Sequence, residues 1–271
     1  MNIYLSNFII RTKSLLQYRA AAWAGFGTQF FFGLVRIMIF FGFYSANTNP
    51  QPLNLDQVVN YIWLAQAFFA IIPIRQDAEI NHLIKNGDIA YELVRPIQLF
   101  YFWLTRQLAG RIIPTFLRGT PLAITASVVL HICGFKDWAL SGPASTSYFF
   151  LFLISEIFAF ILAGLFCLLI SLTLFWTFSS QGFDLLITVT IWTFCGLIIP
   201  LPFYPDWLRF FVYLLPFRGI MDIPIQIYLG LMPLPDSIVA IGLQVFWIIL
   251  FWYCGKKIMS SALKKVVVQG G

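Results

Sequence analysis

Long apolar runs separated by short polar breaks set the rhythm of this chain. Crossing about 30 Å of hydrocarbon takes roughly 20 apolar residues in a helix, and the pattern predicts six such spans. They cover about residues 21–44, 57–74, an apolar run ending near 133, 148–177, 183–199 and 237–254. Residues 2–19 place Leu5, Phe8, Ile9 and Leu16 near one helical face and Arg11, Lys13 and Arg19 elsewhere. That is the signature of a helix lying in the membrane interface.

Two stretches break the rhythm. The first, EINHLIKNGDIAYELVRP at 79–96, reads like the surface of a soluble domain. Ile80, Leu83 and Ile84 fall at helical spacing in a helix over 77–86, with Asp77, Glu79, Asn81 and Lys85 on other faces. Asn86 and Gly87 end it, because glycine accepts the left-handed conformation that a helix C-terminus needs. Asp88 is expected to cap a second short helix through Glu92, stopped by Arg95 and Pro96. Glu79, Asp88 and Glu92 are expected on the surface. Pattern alone leaves two readings open, an ordinary solvated loop or a docking element for a cytoplasmic partner.

The second break is a proline-chopped segment, 200–236, with prolines at 200, 202, 205, 216 and 224. Its pieces are too short to span, since proline removes a backbone donor and clashes with the preceding turn. One piece, 206–215, carries Trp207, Phe210, Phe211 and Leu214 on one face. It is expected on the outer side as part of a re-entrant pair dipping into the membrane.

Composition turns these segments into a class. The chain is 60% hydrophobic and 18% aromatic, with 30 Phe and a mean hydropathy of +0.84, more than a water-soluble surface allows. An all-α polytopic membrane protein is implied, since the ten-residue alternation of a β-barrel is absent. The first residues do not form a signal peptide, because Arg11 and Lys13 interrupt the apolar run, so the segment is expected to be retained. Thirteen basic residues fall before span 1, between spans 2 and 3 or after span 6; only Lys136, Arg209 and Arg218 fall on the other side. Both termini are therefore expected in the cytoplasm. The basic pI near 9.2 follows this topology rather than nucleic-acid binding.

Candidate chemistry is sparse. No P-loop, nucleotide-binding glycine fingerprint, metal-spaced histidine cluster or hydrolase serine motif occurs, and His82 and His131 are the only histidines. No catalytic, cofactor-binding or metal residue is expected in the chain. Cys133, Cys167, Cys195 and Cys254 read as small core residues. Arg36 and Glu156 lie within spans at matching depth, each eight residues from an outer end, and an ion pair between them is one of two open readings. An ion-coupled secondary transporter or channel is the alternative class, though it would want more buried ionisable groups than these.

YIWLAQAFFAIIP at 61–73, GDIAYELVRPIQLF at 87–100 and the approach to span 3 through Arg106, Arg111 and Arg118 closely resemble the ABC-2 type permeases, the membrane subunits of ABC transporters. The resemblance covers essentially the whole chain and points to the short, six-span subgroup without an ATPase domain of its own. It implies one transmembrane domain over 1–271, with an interfacial helix at 1–20, a cytoplasmic coupling segment at 75–104 and an external re-entrant segment at 200–236. It also implies a permease dimer, identical or related chains, in the bacterial inner membrane. A separate ABC ATP-binding subunit would bind ATP and magnesium, with export as the expected direction. Asp77, Glu79, Lys85, Gly87, Asp88, Glu92 and Arg95 are the coupling residues that the resemblance implies.

Overall fold

The computed structural model describes residues 3–46, 49–73, 77–177 and 181–264. Among these residues the chain is helical, without strands. In order it runs through α1 (Ile3–Gln17), α2 (Arg19–Ala46), α3 (Leu55–Ala67), α4 (Ala78–Asn86), α5 (Ile89–Leu93) and α6 (Leu99–Ile124). A π-helical turn at Thr125–Val129 carries α6 into α7 (Leu130–Ile132). Then come α8 (Thr146–Thr177), α9 (Gln181–Phe194), α10 (Asp206–Leu214), α11 (Asp222–Tyr228) and α12 (Leu234–Leu263).

Four helices have the length and apolarity to cross a membrane: α2, the continuous Leu99–Ile132, α8 and α12. The second and fifth expected spans differ. α3 has 13 residues and α9 has 14, each only about 20 Å long. α3 opens with a capping box, in which Asn54 and Gln57 exchange side-chain and backbone hydrogen bonds. It breaks at Phe68 into a 3-10 turn over Phe69–Ile71. Every residue from Val58 to Ala67 is buried, so α3 is enclosed by protein, where irregular backbone is tolerated at membrane depth. α9 stops five residues before the expected 199. Gly196 follows with φ of +88°, and the Tyr61 hydroxyl occupies the space a side chain there would need.

The third span, for which only an end near 133 was expected, is a long helix. A helix begins at Leu99, inside the expected coupling segment, and continues for 34 residues, about 51 Å. Arg106, Arg111 and Arg118, expected in the approach to this span, lie within the helix. Arg111 donates to the Ile72 carbonyl at 3.0 Å and to Cys167 Sγ at 2.8 Å, and the Arg118 side chain lies beside Gly25 of α2. Arg75 and Lys265, counted among the basic residues, lie outside the described residues.

α8 is the central post. Its buried face runs from Phe152 to Leu174, and α6, α11 and α12 pack around it, with α4 against its far end. α1 runs beside the start of α6 in the same direction: Tyr4 Oη accepts from the Gln98 amide at 3.1 Å, and Asn7 Nδ2 donates to the Phe102 carbonyl at 3.0 Å. α6 approaches α3 closely at Gly119, where a side chain would meet the Ala67 carbonyl. Cys167 and Cys195 are buried, Cys254 is partly buried, and Cys133 is exposed, against the expectation of four core cysteines. Cys133 follows the last turn of α7 and faces out because the chain is already leaving the helix there.

Candidate functional site

The charged segment folds into α4 and α5, a pair of short helices joined at Gly87. Asp77 caps α4 by accepting from the Glu79 and Ile80 amides at 2.9 and 3.4 Å. Gly87, with φ of +77°, supplies the left-handed residue that ends it. Ile80 is fully buried, in a cluster with Ile89, Phe100, Trp103, Leu168 and Met259, so the apolar side of α4 seats on the ends of α6, α8 and α12.

Four charges fasten this element. Arg106 Nη2 lies 3.1 Å from Asp77 and 2.7 Å from Glu79, and Arg11 Nη2 lies 3.0 Å from Asp77 and 2.9 Å from Glu79. α1, α4 and α6 are thus tied at one point. Burial pushes the Asp77 carboxyl up, but the Arg106 and Arg11 guanidiniums outweigh it and hold it below the ordinary carboxylate range. For Glu79 the hydrogen bond from Arg106 dominates and also lowers the pKa. Both acids stay ionised at neutral pH, each facing two guanidiniums.

The other residues expected here divide. Lys85, Gly87 and Arg95 are exposed, and Tyr91, Leu93 and Val94 join them on the outer surface. Asp88 is partly exposed, 3.7 Å from His82 Nδ1, and makes no capping hydrogen bond. Glu92 is buried, which corrects the expectation of exposure: it accepts a 2.6 Å hydrogen bond from Trp103 Nε1. α5 turns that carboxylate inward, and the indole satisfies it. Arg11, Trp103 and Arg106 were missed as members of the site. Arg106 was readable only as a topology charge, Arg11 is 66 residues from Asp77 in the chain, and Trp103 carried no signal of its own.

Arg36 and Glu156 do not pair. Arg36 Nη1 donates to the Leu197 carbonyl, and Glu156 Oε1 is buried without a hydrogen-bond partner. Equal depth did not make neighbours: α2 packs on α3 and α6, while Glu156 belongs to the buried face of α8.

The segment expected to be re-entrant contains two different helices, α10 and α11. α10 presents Trp207, Phe210, Phe211 and Leu214 outward, whereas α11 is wholly buried. Asp222 anchors α11: it accepts from the Tyr61 hydroxyl at 2.9 Å, from Arg218 Nε at 3.0 Å and from Gln226 Nε2 at 2.7 Å. The Arg218 guanidinium also covers the Tyr213 ring at 3.7 Å. Arg218, expected as an external topology charge, is therefore a core residue. The i, i+4 spacing of Arg218, Asp222 and Gln226 was the signal available in the sequence.

Among the described residues, no group of three His, Cys, Asp or Glu could hold a metal ion. A family profile described as ABC-2 family transporter protein matches residues 30–270. No curated protein and no solved structure matches the chain.

Proposed function

We infer the function from the fact that this chain belongs to the ABC-2 family of transporter proteins: it is the membrane permease of an ABC exporter driven by a separate ATP-binding subunit. It works as a dimer with an identical or related chain, in the bacterial inner membrane with both termini cytoplasmic. ATP and magnesium bind to the partner subunit, and α4 and α5 form the coupling element that receives its movement.

The observation that carries this reading is the α4–α5 element. It offers Lys85, Gly87, Tyr91, Val94 and Arg95 to the outside while its inner side is fixed to four other helices, α1, α6, α8 and α12, through Ile80, Ile89 and the Arg11–Asp77–Glu79–Arg106 cluster. A partner that pushes on such an element moves α1 and α6 with it, which is what a coupled two-state pathway requires. The apolar face of α10 fits a lipid-dipping position at the outer end of the pathway.

The test is affinity purification of the tagged chain from its host membrane. An ATP-binding subunit is expected to accompany it and to hydrolyse ATP. Recovery of the chain with no such subunit, under conditions that keep membrane complexes intact, contradicts the reading.

A further inference from the structure

We propose that the cavity between α3, α6 and α8 binds an uncharged aromatic compound that enters from the bilayer. The cavity holds about 280 Å³. Phe68, Phe116, Phe152 and Tyr228 wall it, and among the described residues no charged side chain lines it. The lining hydroxyls of Thr115 and Tyr228 are already committed, donating to the Arg111 carbonyl at 2.7 Å and to the Ser141 carbonyl at 3.0 Å. Thr120 carries the remaining hydroxyl, on the exposed rim. A charged guest would lose its hydration here and meet no counter-ion, so charge is selected against.

The register of α6 gives the cavity both a floor and a mouth. Thr115, Gly119 and Ala123 follow at four-residue spacing, as do Phe116, Thr120 and Ile124, so the helix presents two adjacent stripes. The first stripe is the floor: Thr115 and Gly119 are buried, and Gly119 lies against the Ala67 carbonyl. The second is the rim, where Phe116 and Ile124 are 61% and 54% exposed. The rim residues also border a shallow trough over Leu16, Trp23, Ile113, Leu117 and Pro121. The cavity thus opens onto the surface of a helix long and apolar enough to span, and a compound dissolved in hydrocarbon can reach it.

The rings select the guest. Phe152 meets Phe68 edge-on at 5.7 Å between centroids and Tyr228 edge-on at 5.2 Å. Phe116 stacks on Phe160 at 6.3 Å. These rings hold one another in place, and edge-to-face or offset contacts favour a further ring beyond the area it buries. An apolar cavity of about 150 Å³ takes benzene, so this one has room for two linked rings. The inference concerns binding alone and goes beyond the permease reading, on which it does not depend.

The experiment irradiates benzophenone, an uncharged photoreactive compound of two linked rings, with the full-length chain in lipid nanodiscs and maps the adducts by mass spectrometry. Labelling of the cavity residues is expected to saturate, whereas labelling of Ile238, Val239 and Ile249, exposed on α12, rises in proportion to the probe. Excess biphenyl is expected to displace the cavity adduct, and biphenylcarboxylate and methyl palmitate to displace it poorly. Ala123→Phe fills the cavity and is expected to weaken the saturable labelling about tenfold or more, the equivalent of about 1.4 kcal/mol. Cavity labelling that does not saturate, or a folded Ala123→Phe chain labelled like the parent, overturns the proposal. So does displacement by the carboxylate as strong as by biphenyl, or by the ester, which would identify a lipid acyl chain as the occupant. Should the variant fail to fold, the competition on the parent chain decides alone. Because no ATP-binding subunit takes part, a negative result leaves the permease reading intact, and failed co-purification leaves the aromatic site intact.

Discussion

Two arginine–carboxylate clusters hold this molecule together at different places, and they differ in how much water reaches them. In the Arg11–Asp77–Glu79–Arg106 cluster Arg106 is buried, yet more than half of the Glu79 side chain is exposed. In the Tyr61–Arg218–Asp222–Gln226 cluster all four residues are buried. Water screens the first and lets its members change partners at modest cost. The second is dry, so its charges are worth most together and cost most apart. The chemistry is the same, but the first cluster holds α4 at lower cost of rearrangement and the second fixes α11 against α3.

Breaking the dry cluster is expected to have the largest effect. Asp222→Ala leaves Arg218 as an unmatched buried charge and strips Tyr61 and Gln226 of their acceptor, a loss of about 3–5 kcal/mol. A strongly lowered melting temperature in detergent checks this. Replacing both partners, Arg218→Met with Asp222→Leu, should lose less than Asp222→Ala alone, because no unpaired charge remains.

The wetter cluster should yield less. Arg106→Met is expected to cost about 1–3 kcal/mol, in the range of hydrogen bonds to charged groups, and Arg11→Met less, since Arg11 is the more exposed of the two. The pKa values of Asp77 and Glu79 are lowered in the folded state, so their stabilisation is present above the ordinary carboxylate range and disappears as pH falls through the folded values. The melting difference between parent and Arg106→Met should thus be flat near neutrality and shrink below about pH 4. A difference that grows on acidification would contradict the assignment.

Within the same region, Trp103→Phe removes the donor to buried Glu92 and should cost about 1–2 kcal/mol, read by the same melting assay. Changes on the outer face come last. Lys85→Glu and Arg95→Glu should leave stability within about 0.5 kcal/mol of the parent.

Legibility followed the same divide. α4 was readable within one residue at its start because its signals are local: Gly87 ends it and Ile80 and Ile84 fall on one face, while Asp77, expected inside the helix, is its cap. The burial of Glu92 was not readable, since it depends on Trp103, eleven residues later and on another helix. α10 was legible from its apolar face, within one residue at its end. The role of Asp222 was hidden because one of its donors, Tyr61, is 161 residues away. Arg36 and Glu156 show the limit of depth as a guide, since matching depth gives height in the bilayer and says nothing of which helices are neighbours.

The central claim is that α4 and α5 receive the ATP-binding subunit, and reconstitution of the two purified proteins tests it most directly. The parent chain and the Lys85→Glu, Arg95→Glu double variant are compared for affinity toward the ATP-binding subunit, with melting temperature as the folding control. The account predicts equal melting temperatures and binding weakened about tenfold or more, the equivalent of about 1.4 kcal/mol. A folded double variant that binds the subunit as tightly as the parent would contradict it.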